Sequence, residues 1–266
     1  MVQQRIGFIG AGAMGEAILK GLLAGGYAAE KILISDLQKE RLEFLAENYY
    51  VKTTTENNVV VENSDVIILA IKPQNLKEAI ESCVDAVDTH KVIISIIAGV
   101  STEKLEGLLP EGSKVIRVMP NTPALVGAGT SVLTGGKFAT EEDLRLAREI
   151  FSGLGSVNIL PEKLLNAVTG LSGSGPAFVA LVVEALADGG VMAGLPRKEA
   201  LKLAIDTVAG TAKLLLETGM HPAQLKDQVT SPAGTTIYGM LQLEKNGVRG
   251  TIMETVLAAA KRAEDM

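Results

Sequence analysis

The chain has 266 residues, 47% of them hydrophobic and 21% charged, with a mean hydropathy of +0.27 and a formal net charge of −6. At about 150 residues per domain this leaves room for about two domains with real cores, and it excludes long disorder. No basic stripe marks a nucleic-acid binder, and 3% aromatics without tryptophan leave no stacking platform for single strands. A lone cysteine, Cys83, excludes an internal disulfide and points to a reducing, cytoplasmic setting. Two histidines, His90 and His221, leave almost no material for a soft-metal site.

The N-terminus runs straight into a structural motif, which leaves no room for a cleavable signal. The longest apolar stretches, residues 92–100 and 176–183, fall short of the about 20 residues that a membrane span needs. No membrane association is therefore expected.

From residue 5 to about 160, short apolar runs alternate with amphipathic segments of helical length. Strands are predicted at residues 5–9, 32–35, 66–70, 92–95, 114–118 and 131–133, and helices at 14–23, 38–47, 76–83 and 141–151. Runs such as DVIILA and KVIISII place β-branched residues on consecutive positions, as a strand buried on both faces requires. The pattern predicts an α/β domain, a Rossmann-type doubly wound sheet, over residues 1–160. Beyond Pro161 only helices are predicted, at 166–171, 176–193, 196–217, 222–229, 232–245 and 248–264. Gly194 precedes Pro196 and Gly219 precedes Pro222, the order of a helix stop and the next start. Residues 161–266 thus read as an all-helical domain. Its segment 176–193 is apolar nearly all round and needs cover on most sides, so the expectation is an obligate homo-oligomer.

The sequence RIGFIGAGAMGEAILKGL places Gly10-x-Gly12-x-x-Gly15 where a strand gives way to a helix. Gly10 permits the tight turn, Gly12 lets backbone approach a pyrophosphate, and Gly15 lets helix and strand pack closely. Asp36 follows at the end of the next strand, about twenty residues on, which completes a dinucleotide-binding pattern. A carboxylate there suits the ribose hydroxyls of NAD and repels a 2′-phosphate by about 4 kcal/mol at contact distance and an effective dielectric of 20. Ser35, Lys39 and Arg41 stand nearby as donors to a phosphate, so NADH and NADPH both stay open, with a tilt towards NADH.

The second motif is LKDQVTSPAGTTIYGMLQLE. Here Ser231 reads as a helix N-cap and Pro232 as the first helical residue. A capping box would place Glu or Gln where Gly234 stands, so the N–H groups of this start are left bare and suit a small carboxylate, with Thr235 and Thr236 adding hydroxyls. An ordinary capped helix is the alternative. Residues 169–178, TGLSGSGPAF, read as a hinge or a close-approach loop. Residues 70–74 and 118–124 follow strands of the first domain and read as walls of the cofactor pocket, Lys72 among them. His221 reads as a helix-start residue and His90 as a surface residue, both without a catalytic role.

Together these segments resemble the pyrroline-5-carboxylate reductase family across essentially the whole chain: GFIGAGAMGEAI, AIKPQ, SIIAGV, VMPNTPA, GLSGSGPAF, EALADGGVMAGLPR and HPAQLKDQVTSPAGTT. The resemblance implies NAD(H) or NADP(H) held by Gly10, Ala11, Gly12, Ala13, Met14, Ser35, Asp36, Asn57, Ala70, Lys72 and Pro73. It also implies an intertwined homodimer, with dimers assembling into rings, and a substrate pocket at the dimer interface. That pocket would use Ser174, Ser231, Ala233, Gly234, Thr235 and Thr236, with Thr236 beside the ring nitrogen as the catalytic group. Ala233 departs from the glycine usual there and is expected to fit a helical first turn with little effect. Asp36 puts the NADPH preference of many relatives in doubt. A β-hydroxyacid dehydrogenase would need a lysine where Val179 stands, and a non-enzymatic dinucleotide sensor would have no use for a substrate pocket.

Overall fold

Consecutive β-branched residues in the first half serve two cores at once, because successive side chains in a strand point to opposite faces. In the computed structural model, which describes residues 4–265, Ile6, Phe8, Val66, Ile68, Val92 and Ile94 enter one buried cluster, while Ile9, Ile67, Leu69 and Ile93 enter a second. Strands β1 (Ile6–Ile9), β2 (Ile32–Ser35), β3 (Lys52–Thr54), β4 (Val66–Leu69), β5 (Val92–Ser95), β6 (Lys114–Met119), β7 (Gly129–Gly135) and β8 (Gly155–Ile159) form one sheet in the order 3-2-1-4-5-6-7-8. All neighbours are parallel except β6 and β7. The order reverses between β1 and β4, and at such a switch point the carboxyl ends of the strands open a crevice for a ligand.

Helices α1 (Ala13–Ala24), α2 (Lys39–Tyr49), α3 (Asn57–Glu62), α4 (Leu76–Glu81), α5 (Thr102–Glu106) and α6 (Glu141–Ser152) accompany the sheet. The expected strands and helices of this half are all present within a few residues. Four further elements, β3, β8, α3 and α5, are additions to the sequence reading. Each is short, and β3 and β8 lie at the two ends of the sheet with half-exposed or exposed residues, so they carry no apolar run to betray them.

The remainder is helical: α7 (Leu165–Val168), a π-helical turn (Thr169–Gly173), α8 (Gly175–Met192), α9 (Arg197–Thr218), α10 (Pro222–Gln228), α11 (Thr235–Lys245) and α12 (Val248–Glu264). The segment read as a hinge or loop at 169–178 is instead helical, so α7, the π turn and α8 form a nearly continuous run. By length and composition Glu162–Met192 is the one run among the described residues apolar enough to cross a membrane, and only 6% of its apolar window is buried. The shorter apolar stretches hid this, because the Gly/Ser segment joins them into one helix.

By compactness the chain divides into two units, one running through Gly173 and resuming at Ala259, the other Ser174–Ala258. In the second, buried side chains are few and small: Ala187, Ala200 and Ala204, with Val183 and Val191 against them. Leu181, Leu186, Met192, Leu203 and Leu216 are exposed. Large apolar side chains left exposed along helices in this way mark an association surface.

Candidate active site

In the first unit, the carboxyl end of β1 turns through Gly10 at φ +98°, a conformation that disfavours any side chain, and a Cβ there would lie 2.5 Å from the Ala70 carbonyl oxygen. Gly10 N–H donates to Ser35 O (2.8 Å) and Ala70 N–H to Ile9 O (2.8 Å), so the ends of β1, β2 and β4 meet at this turn. A Cβ on Gly15 would stand 3.0 Å from Gly10 O, the close helix–strand approach expected of that position. Gly12 is the N-cap of α1, has no side-chain cap, and faces open space. Ala13 and Met14 open the helix behind it. A bare helix start beside an unobstructed glycine fits the pyrophosphate of a dinucleotide.

Asp36 stands beside the loop, and both of its oxygens are already engaged. Oδ2 accepts from Ala11 N–H at 2.7 Å and Oδ1 from Gln38 N–H at 2.9 Å. The sequence reading assigned this carboxylate to ribose alone; the structure also makes it a clasp on the glycine loop. Arg41 is likewise committed, donating from Nε to Ala11 O at 2.6 Å and pairing with Glu16. Glu16 also accepts from Lys20 (2.8 Å) and the Tyr49 hydroxyl (2.6 Å). Burial works against its charge, yet the hydrogen bonds from Lys20, Tyr49 and Arg41 hold its pKa down at about 2. The support that Arg41 and Glu16 give the loop leaves no local mark in the sequence, because the two residues are 25 apart.

Ser35, fully buried, donates to Asn57 Oδ1 at 2.6 Å, and Asn57 donates onward to Ser82 Oγ at 3.0 Å. Asn57 is the first residue of α3, so this relay fixes the floor between β2 and α3. Lys72 is exposed and caps the short turn Pro73–Asn75 after β4. The expected cofactor residues therefore gather around the carboxyl ends of β1, β2 and β4.

The second unit holds the other candidates, and here the sequence reading needs correction. Ser231 is not the N-cap and Pro232 is not helical. Gly234 N–H donates to Ser231 O at 3.0 Å, closing a β-turn with Pro232 and Ala233 at its corner and Ala233 at φ +58°. Proline first and a positive φ second are the marks of a type II turn, whose second corner favours glycine. Ala233 therefore sits in a strained left-handed position, not in a helical first turn. The reading failed because Ser-Pro fits a helix start and a turn start equally well. Helix α11 begins at Thr235 with Gly234 as N-cap and no side-chain cap, so the start is bare, but three residues later than expected. Thr235 and Thr236 are its first two residues, and a groove of about 650 Å³ lined by Thr230, Ala233, Ile237 and Met240 among others runs beside it. Ser174 stands at the N-cap of α8, and among the described residues no hydrogen bond joins it to this turn. His221 caps α10 by accepting from Ala223 N–H (3.2 Å), and His90 is exposed. No cluster of metal ligands occurs among the described residues.

Residues 162–266 match the family model described as pyrroline-5-carboxylate reductase dimerisation, and residues 5–99 match one described as NADP oxidoreductase, coenzyme F420-dependent. A pyrroline-5-carboxylate reductase of Methanosarcina acetivorans is 48% identical over 100% of this chain and 99% of its own. The solved structure of a Coxiella burnetii pyrroline-5-carboxylate reductase superposes with a TM-score of 0.94 at 34% identity, covering 99% of this chain and 98% of that one. A Plasmodium falciparum pyrroline carboxylate reductase with NADP bound superposes with a TM-score of 0.90 at 30% identity, covering 100% and 98%.

Proposed function

The chain belongs to the pyrroline-5-carboxylate reductase family, and from that premise we propose how its residues divide the work of reducing 1-pyrroline-5-carboxylate to L-proline. Residues 1–160 hold NAD(P)H, and residues 161–266, paired with a second copy, hold the substrate. When bound, the dinucleotide supplies the hydride for the C=N bond.

A protonated cyclic imine is already an electrophile, so the chain's task is to bind and orient rather than to supply a strong acid. The lack of a histidine or cysteine in the candidate site agrees with that task. The loop Gly10–Met14 and the start of α1 receive the pyrophosphate, while Asp36 and Asn57 border the ribose, with the buried Ser35 supporting Asn57 from beneath, and Ala70, Lys72 and Pro73 form the adjoining wall. The bare start of α11 receives the substrate carboxylate on the N–H groups of its first turn, helped by the positive end of the helix dipole. Ser231, Ala233, Gly234 and Thr235 complete this substrate site, and Ser174, at the head of α8, is assigned to it as the resemblance implies. The Thr236 hydroxyl hydrogen-bonds the ring nitrogen and so sets the face of the imine carbon.

The observation that carries this reading is the uncapped α11 start, whose Gly234 leaves the donors open where a capping side chain would normally fill them. The apolar run Glu162–Met192 takes helices of a second copy rather than lipid, in line with the dimerisation family matched over the same residues. Dimers assemble further into rings, as the resemblance implies, and the enzyme works in the cytoplasm, which suits its single buried thiol.

The test is to follow oxidation of NADH and of NADPH by the intact oligomer with 1-pyrroline-5-carboxylate. Substrate-dependent oxidation of at least one supports the reading. Oxidation of neither, or tight binding of the dinucleotide with no effect of the imine, returns the protein to the sensor alternative.

A further inference from the structure

The segment after β6 reads VMPNTPA, and its Asn121 makes two hydrogen bonds in opposite senses. The amide oxygen accepts from Thr130 N–H at 2.8 Å, at the start of β7, and the amide nitrogen donates to the carbonyl of Ser172 at 3.1 Å. Ser172 lies within the π-helical turn Thr169–Gly173. Such turns break the regular i to i+4 ladder, are rare, and concentrate at functional sites. Two side chains of the turn support it from within, Thr169 donating to Leu165 O (2.8 Å) and Ser172 to Val168 O (3.1 Å). A second contact comes from the same end of β6: a Cβ on Gly173 would lie 2.6 Å from Met119 Cε, so the turn packs closely on that strand. Among the described residues, Asn121 is thus the one side chain from outside the helical run that hydrogen-bonds the turn.

We propose that Asn121 is a positioning residue for the reduction. Its amide holds the π turn in register with the carboxyl end of β6, so that Ser174, the next residue after the turn, issues from a fixed last turn into α8. The reason to spend an amide on this is geometric. A π turn interrupts the regular helical ladder, and a displacement of about 1 Å at a substrate-side group costs roughly a hundredfold in rate. This rests on reading Ser174 as a substrate-side residue.

The variant that isolates the claim is Asn121→Asp. A carboxylate still accepts from Thr130 N–H but no longer donates to Ser172. The measurements are kcat and KM for 1-pyrroline-5-carboxylate, Kd for NADH and NADPH, oligomer mass and Tm, on the full-length oligomer. The expected result is a kcat roughly ten- to a hundredfold lower per folded site, well beyond any change in cofactor Kd, with oligomer mass unchanged and Tm lower by only the few degrees that one lost hydrogen bond costs. Asn121→Ser, shorter and uncharged, carries the same expectation should the aspartate variant not fold. A wild-type kcat in either variant overturns the proposal, and so does a loss that only tracks weaker cofactor binding or less folded protein. Absence of turnover in the wild-type protein is a different result and sinks the functional reading instead.

Discussion

Ala11 is held at both ends of its peptide by side chains of opposite charge: its N–H donates to Asp36 (2.7 Å) and its carbonyl accepts from Arg41 (2.6 Å). The residue between Gly10 and Gly12 is itself buried, so the shape of the glycine loop is dictated by the strand and helix that follow it. A hydrogen bond to a charged group contributes about 1.5–3 kcal/mol, enough to keep a loop of small residues in one conformation.

Asp36→Asn therefore tests the clasp. Its NH2 group cannot accept from Ala11 N–H while its oxygen stays on Gln38, so the loop loosens. We expect Kd for NADH to rise about tenfold, the equivalent of roughly 1.4 kcal/mol. NADPH should lose less, because removing the charge also removes repulsion of a 2′-phosphate. Fluorescence titration with both dinucleotides reads this directly. An NADH Kd equal to that of the wild type would release Asp36 from the role.

Glu16 gives stability a signature in acid. Its pKa falls from 4.5 to about 2 because the donors Lys20, Tyr49 and Arg41 outweigh the burial that pushes it up. A folded value below the unfolded one stabilises the fold fully above about 4.5, and that stabilisation is lost as the pH falls towards about 2. The size is on the order of 2 kcal/mol. Denaturant midpoints of wild type and Glu16→Gln, at fixed protein concentration, should differ clearly near neutrality and converge across that acid range. A gap that does not change with pH would assign the loss to packing instead.

Ala233 pays for a left-handed backbone with a side chain that glycine would not have. Ala233→Gly should stabilise the protein by about 1 kcal/mol, a Tm rise of roughly 2–4 °C. Calorimetry decides it. A lower Tm would mean that the methyl group makes packing contacts worth more than the strain.

Thr236→Ala should lower kcat/KM by roughly ten- to a hundredfold, the loss of one oriented hydrogen bond, and Thr236→Ser should recover most of it. An alanine variant as active as the wild type would remove Thr236 from the chemistry.

Leu181, 66% exposed on α8, is expected to lie under a second copy. Leu181→Glu buries a charge there and should give subunits that sediment as monomers at micromolar concentration and no longer turn over substrate. An intact oligomer would place the interface on another face.

How far the sequence could be read depended on the range of the interaction. The β-branched runs of β4 and β5 and the Gly10–Gly15 spacing are local patterns with one structural solution, and they were legible. Strands β3 and β8, at the two ends of the sheet, have half-exposed or exposed residues and little apolar signal, so they were not. At 169–178 glycine and serine suggested a loop, yet the chain is helical, and a side chain from residue 121 satisfies a carbonyl of the turn. At Ser231–Gly234 the two backbone solutions share one set of residue types, and only the positive φ at Ala233 separates them.

Sequence alone determined the two kinds of architecture and the glycine turn after β1, because periodicity and turn chemistry act within a few residues. Tertiary structure decided what those features do to one another. The carboxylate expected at the ribose also clasps the loop, the open start lies three residues further on, and the apolar helix runs longer than its composition suggested. Each of these depends on groups brought together by folding over distances that no local pattern records.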